Sequence, residues 1–281
     1  MNENMLYYTR PAEYWMEALP LGNGFLGAMC DSGVRREGIS LNHDTLWTGH
    51  PRTVTRDGAF ASYQKAQKLA LEGKYRACHD EIEQNFLTCW SQAYLTFGTL
   101  KLEFDLEEYS DYQRRLDLSQ ALLRSRFVAE GREYVKTAFV SHPHNVLVYR
   151  IEVPDGGRFS FEAKVECPLK HEIRMQDDML LVDGECPGDG DTHSPEYPCN
   201  SLIYSEEEKE RGVLFRGAVK IACDGALVCT GSSIKAQNAS CATLYFNIST
   251  SFNGFDKYPA LEGKEYKNAC IAALKAASEA G

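Results

Sequence analysis

From about residue 97 to residue 252 the chain alternates apolar and polar residues with a period of two, the pattern of a strand that buries one face. Leu100, Leu102, Phe104 and Leu106 are separated by Lys101, Glu103 and Asp105. Residues 134–140 (YVKTAFV), 146–153 (VLVYRIEV) and 159–165 (FSFEAKV) follow closely, divided by turn residues at Glu130-Gly131, Pro154-Asp155-Gly156-Gly157 and Asp183-Gly184. Many such strands with few helices among them predict a mainly β chain: a large antiparallel two-sheet β-sandwich. Two shorter strand-like runs, GFLGAM and GISL, flank Asp31-Ser32-Gly33 nearer the N-terminus.

Helical spacing interrupts this pattern twice. Tyr63, Ala66 and Ala70, then Tyr75, Cys78, Ile82 and Phe86, recur at three- and four-residue steps on either side of Gly73. They predict a helical hairpin inserted at about residues 60–88. Near the C-terminus, Tyr266, Ala269, Cys270, Ala273, Leu274 and Ala277 share one helix face. That helix could pack back on its own sandwich or begin a linker. The organisation expected is a sandwich over residues 1–262 and a helical segment over 263–281.

Composition narrows the function. A net charge of −10, with no Lys/Arg stripe, argues against nucleic acid as a partner. No stretch approaches the roughly 20 apolar residues of a membrane span, and residues 1–5 do not resemble a secretory leader, so the chain reads as cytoplasmic. The ten cysteines include no Cys-x-x-Cys pair, and most are read as small buried hydrophobes in a reducing compartment.

Several short motifs invite chemistry and are better read as structure. His142-Pro143-His144 lacks a third metal ligand, Asp189-Gly190-Asp191 lacks the distal Glu of a calcium loop, and Gly22-Asn23-Gly24 reads as a tight turn. Asn238-Ala239-Ser240 and Asn247-Ile248-Ser249 match the glycosylation sequon, to which no role is given without a secretory signal. No metal or cofactor is expected. Asp44 and Glu13 are the acids worth placing near a ligand, although Asn42, Asp44 and Thr45 are more simply hydrogen-bonding groups of a turn before Trp47. Trp15, Trp47 and Trp90 could stack on sugars; packing in the core or against another domain is the more economical reading. A long Gly-, Pro- and Asp-rich loop is expected over residues 183–200, where binding function and plain surface loop are both open.

A family resemblance runs through the chain. Residues 8–15 (YTRPAEYW), 17–29 (EALPLGNGFLGAM) and 39–49 (ISLNHDTLWTG) resemble the opening signatures of family 95 glycoside hydrolases, the α-L-fucosidase family. The likeness continues through residues 112–118 (YQRRLDL), 139–143 (FVSHP) and 250–255 (TSFNGF). Two departures are His43, where the family usually has Glu, and Phe25, where it often has Arg. The resemblance implies the N-terminal, non-catalytic β-sandwich of an inverting exo-α-L-fucosidase, with α-1,2-fucosides as the usual substrates. Its partners would be an (α/α)6-barrel catalytic domain, reached through the C-terminal helical linker, and a fucosylated oligosaccharide. The barrel would carry the catalytic residues, and none is assigned to this chain. Asn42, His43, Asp44, Trp47, His193 and Tyr197 are the candidates for the rim of the substrate site. A carbohydrate-binding module that works alone and a purely structural interaction domain are the competing readings.

Overall fold

A computed structural model describes residues 4–52, 54–88, 91–190 and 202–280. The strands are β1 (Met5–Tyr8), β2 (Leu19–Gly22), β3 (Leu26–Cys30), β4 (Arg36–His43), β5 (Gly98–Phe104), β6 (Tyr109–Asp117), β7 (Leu122–Ala129) and β8 (Arg132–Ser141). They continue with β9 (Val146–Glu152), β10 (Phe159–Glu166), β11 (Lys170–Gln176), β12 (Met179–Glu185), β13 (Leu214–Cys223), β14 (Ala226–Cys229), β15 (Ser233–Ala239) and β16 (Cys241–Thr250). Helices α1 (Ala59–Leu71) and α2 (Tyr75–Glu81) form the expected hairpin, and α3 (Lys267–Glu279) follows the last strand. Gly73 joins the hairpin at φ +74°, a left-handed conformation that glycine adopts without a Cβ penalty.

Two antiparallel sheets make the predicted sandwich. The larger runs β1-β6-β7-β8-β9-β16-β13-β12-β11, and the smaller β14-β15-β10-β5-β4-β3-β2. Their facing sides bury Leu100, Leu102, Phe127, Tyr149, Phe161, Phe215 and Phe246 in one contiguous core. Where alternation is cleanest, as in β5 and β10, burial follows it residue by residue.

β12 departs from alternation: Met179, Leu180, Leu181 and Val182 are all buried. The physical reason is α3, which lays Cys270, Leu274 and Ala277 over Val146, Met179, Leu181, Ala218 and Tyr245 on the outer face of the larger sheet. Strands covered on both faces need no polar side. The terminal helix thus packs against its own sandwich. Arg216 anchors the start of that helix, donating Nε and Nη2 to Asp183 at 2.6 and 2.7 Å and Nη1 to the Lys267 carbonyl at 3.4 Å.

The core also holds charge. Lys136 Nζ, fully buried, lies 2.7 Å from Glu37 Oε2 and donates to the Gly33 carbonyl at 2.6 Å. The Tyr149 hydroxyl donates to the same carboxylate oxygen, and Lys136 sits 4.3 Å from the centre of the Phe104 ring.

Some sequence expectations are corrected. The 183–200 loop starts later than expected, because Asp183, Gly184 and Glu185 pair with β11 and β13 as strand; residues 191–201 lie outside the described residues. Only Cys30, Cys186 and Cys270 of the eight described cysteines are buried, and Cys229 is exposed on the edge strand β14, where one neighbouring strand cannot enclose it. None of the eight is disulfide-bonded. No helix among the described residues is long and apolar enough to cross a membrane.

Candidate functional site

The site begins where β4 ends. The Leu46 amide donates to the His43 carbonyl at 3.1 Å, closing a tight turn over Asp44 and Thr45, and Asp44 N–H donates to the Phe25 carbonyl at 3.0 Å. Trp47 is then fixed by its own indole, whose Nε1 donates to the Asp44 carbonyl at 2.8 Å. Its ring meets Tyr94 at 5.1 Å between centroids, and the two residues form an isolated β-bridge. Thr48 ties the next step down: its hydroxyl donates to Gln92 Oε1 at 2.7 Å and accepts from the Ala93 amide at 2.8 Å.

Against this segment lies the chain that leaves β16. Asp44, Thr45, Trp47, His50, Gln92, Phe255 and Lys257 are among the residues lining an open cleft of about 360 Å³ between the two. That size falls within the roughly 300–1,000 Å³ of small-molecule sites. Trp47 is 43% exposed and Phe255 90% exposed, so both offer ring faces at the cleft. Of the two packing readings, the core is excluded for Trp15 and Trp47: the turn holds the Trp47 indole at the surface, and Trp15 follows Tyr14 on an exposed segment at 61% exposure. Trp90 lies outside the described residues.

His43 is the floor of this arrangement rather than its lining. It is buried, with Nδ1 2.9 Å from both Asp44 Oδ1 and Thr45 Oγ1. Thr45 Oγ1 in turn meets Thr250 Oγ1 at 2.6 Å, joining the β4 turn to the end of β16 across the sandwich. Burial lowers the imidazole pKa; the Asp44 carboxylate opposes this and Lys264 reinforces it. A single ring nitrogen can give a proton to Asp44 or take one from Thr45, so its protonation links the exposed carboxylate to half-buried Thr45 and, through it, to buried Thr250. Burial, with the Asp44 charge adding to it, raises the Tyr94 phenol.

The predicted rim residues thus divide. Asp44 and Trp47 line the cleft, His43 supports it, and Asn42 is half-buried at the end of β4, its Oδ1 accepting the His43 N–H at 2.8 Å. His193 and Tyr197 lie outside the described residues. Glu13 is apart from this cleft, in a groove beside Trp15. The turn reading of residues 42–45 holds in outline, although His43 and the Trp47 indole make more of its bonds than Asn42 does. Sequence reading missed Tyr94, His50, Phe255 and Lys257. Phe255 closes the TSFNGF motif, the one signal that pointed to it.

Two of the other motifs are turns, and Asp191 of the third lies outside the described residues. Asn23 Oδ1 accepts from the Phe25 and Leu26 amides at 3.0 and 2.9 Å, making Gly22-Asn23-Gly24 the β2–β3 turn. His142 and His144 sit in the β8–β9 turn, His142 against Phe25 at 6.4 Å. Asp189 pairs with Arg52 at 3.2 Å. Among the described residues no group of three His, Cys, Asp or Glu is placed to hold a metal ion.

Comparison with known proteins gives this cleft a context. Residues 6–254 match the family described as "Glycosyl hydrolase family 65, N-terminal domain". "Alpha-L-fucosidase 2" of Arabidopsis thaliana is 26% identical over 258 residues, covering 89% of this chain and 30% of that protein. "Probable alpha-fucosidase A" of Aspergillus niger is 35% identical over 146 residues, 48% of this chain and 18% of that protein. The protein of that name from Aspergillus oryzae is 25% identical, covering 85% and 32% respectively. The chain therefore spans about a third or less of the length of these relatives. Among solved structures, "Putative kojibiose phosphorylase from human microbiome" shares the fold at a TM-score of 0.50 and 8% identity, over 98% of this chain and 35% of that one. By sheet topology, family match and relatives together, the chain belongs to the glycosyl hydrolase N-terminal domain family, as a β-sandwich of the α-L-fucosidase type.

Proposed function

We propose that this chain is the non-catalytic β-sandwich of an inverting exo-α-L-fucosidase acting on α-1,2-fucosides, and that its β4 turn edges the active site of an (α/α)6-barrel domain. The observation that carries the reading is the cleft beside Trp47, where an indole face pinned by its own turn stands next to a carboxylate and a second exposed ring. Flat aromatic faces beside hydrogen-bonding groups suit a pyranose ring. Asp44 is the sole carboxylate among the described residues lining that cleft. Inverting hydrolysis uses two carboxyl groups roughly 6.5–9.5 Å apart, so the catalytic pair is assigned to the barrel. Residues 263–281 would begin the linker toward it, with α3 holding that linker against the larger sheet. Asn42, His43, Asp44 and Trp47 are the rim residues, His43 acting through Asp44.

The test uses the 281-residue chain with 2′-fucosyllactose. No fucose should be released, and in an enzyme that also carries the barrel, Trp47→Ala should raise KM more than it lowers kcat. Fucose release by the 281-residue chain, abolished by Asp44→Asn, would overturn the assignment. The second reading, a carbohydrate-binding module that acts alone, is favoured by the exposure of Trp47 and Phe255. Saturable quenching of Trp fluorescence by fucosylated oligosaccharide in the 281-residue chain would select it.

A further inference from the structure

On the outer face of the larger sheet, the half that α3 leaves bare carries a line of arginines. Strand register places Tyr7, Arg115, Arg124, Thr137, Arg150 and Thr243 side by side across six strands. Arg115 and Arg124 are direct cross-strand partners, both exposed, and neither makes an ion pair among the described residues. Like charges directly opposite one another in a sheet are destabilising. In a chain of net charge −10, that unfavourable pair could have been relieved by a single acidic neighbour. Arg126 is next to it, held 3.5 Å from Glu133, and Arg150 is held 3.1 Å from Glu152. Together Gln113, Arg115, Arg124, Arg126, Glu133 and Glu152 line a shallow, mostly polar groove of about 340 Å³.

We propose that this groove binds a carboxylate-bearing sugar, a uronate residue of an oligosaccharide, with Arg115 and Arg124 on the carboxylate. Guanidinium forks match planar carboxylates bidentately, and two of them facing one anion convert a repulsive pair into a receptor. The flanking glutamates set the ligand's charge density. Three arginines against two carboxylates give the lining one net positive charge, which suits one anion and repels a dense polyanion. Gln113, Glu133 and Glu152 remain as partners for sugar hydroxyls. This proposal is independent of the cleft beside Trp47, from which it differs in face and in ligand charge.

The experiment is an amide chemical-shift titration of the 281-residue chain with trigalacturonate, with its fully methyl-esterified form and inorganic sulfate in parallel. Saturable shifts confined to β6, β7, β8 and the Glu152 end of β9 with the acid, and none with the ester, are expected. In Arg115→Gln/Arg124→Gln binding should weaken at least about tenfold, the loss expected when a charge-assisted bidentate contact is removed. That variant should melt no lower than the parent, because the like-charge pair is gone. Should it fail to fold, Arg115→Lys/Arg124→Lys, which keeps the charge and loses the fork, must still weaken binding. Equal binding of acid and ester, equal binding by the variants, or sulfate binding as tightly as trigalacturonate would each overturn the proposal.

Discussion

Lys136 and Glu37 are each essentially inaccessible to water, and each is tolerable only because the other is there. Removing one partner of such a pair leaves an uncompensated buried charge, at a typical cost of about 3–5 kcal/mol, whereas replacing both with apolar residues can be nearly neutral. Lys136→Met should therefore lower unfolding free energy by about that amount in urea titration. Glu37→Leu/Lys136→Met should recover most of the loss, with Tyr149 then the group left without its acceptor. Asp31, which accepts from the Gly33 and Gly38 amides at 2.9 and 2.8 Å, gives a pH signature. Burial first, and then the charge of Glu37, raises its pKa from 3.8 to about 6. The folded state holds this proton more tightly than the unfolded chain does. Its contribution is thus fully present below pH 3.8 and is lost as pH rises through about 6. Unfolding free energy compared at pH 4 and pH 7 should show a component of about 1–3 kcal/mol that disappears in Asp31→Asn.

At the level of elements, α3 is the piece whose removal is most revealing. Leu274 sits between Cys270 and Ala277 on the face that covers the larger sheet. Leu274→Ala should cost about 2–5 kcal/mol, read as a shift of the urea midpoint at unchanged slope. The same helix explains what the sequence withheld. β5, β8 and β10 were legible because one face is wet. β12 hid inside an apolar run because α3 dries its second face. β11 hid for the opposite reason: as an edge strand it has the sequence KHEIRMQ with no residue fully buried. Half of the cleft was readable for a related reason. Asp44 and Trp47 stand in one short motif, while Tyr94 and Phe255 reach the same place from segments far along the chain, a juxtaposition set by sheet order and not by spacing.

Taken whole, the molecule concentrates its contrasts at separate places. The β4 turn, the loop after β12 and the stretch after β16 converge at one end of the sandwich, tied by Gly49 N–H to the Pro187 carbonyl at 2.9 Å and by Thr45 to Thr250. Cutting the Thr45–Thr250 tie with Thr250→Val should leave both sheets intact and loosen only that end. Faster amide exchange at residues 44–50, with protection in β9 and β13 unchanged, is the expected readout.

The pairing of β9 with β16 at the centre of the larger sheet also bears on how the chain leaves the ribosome. Residues 146–152 must wait for residues 241–250 before they gain their second neighbour. Met179 and Leu181 then stay uncovered until Leu274 arrives. At a synthesis rate of roughly 5–20 residues per second, the centre of the sheet spends seconds as an open, greasy edge. Transiently exposed apolar surface of that kind is aggregation-prone and is what nascent-chain chaperones cover.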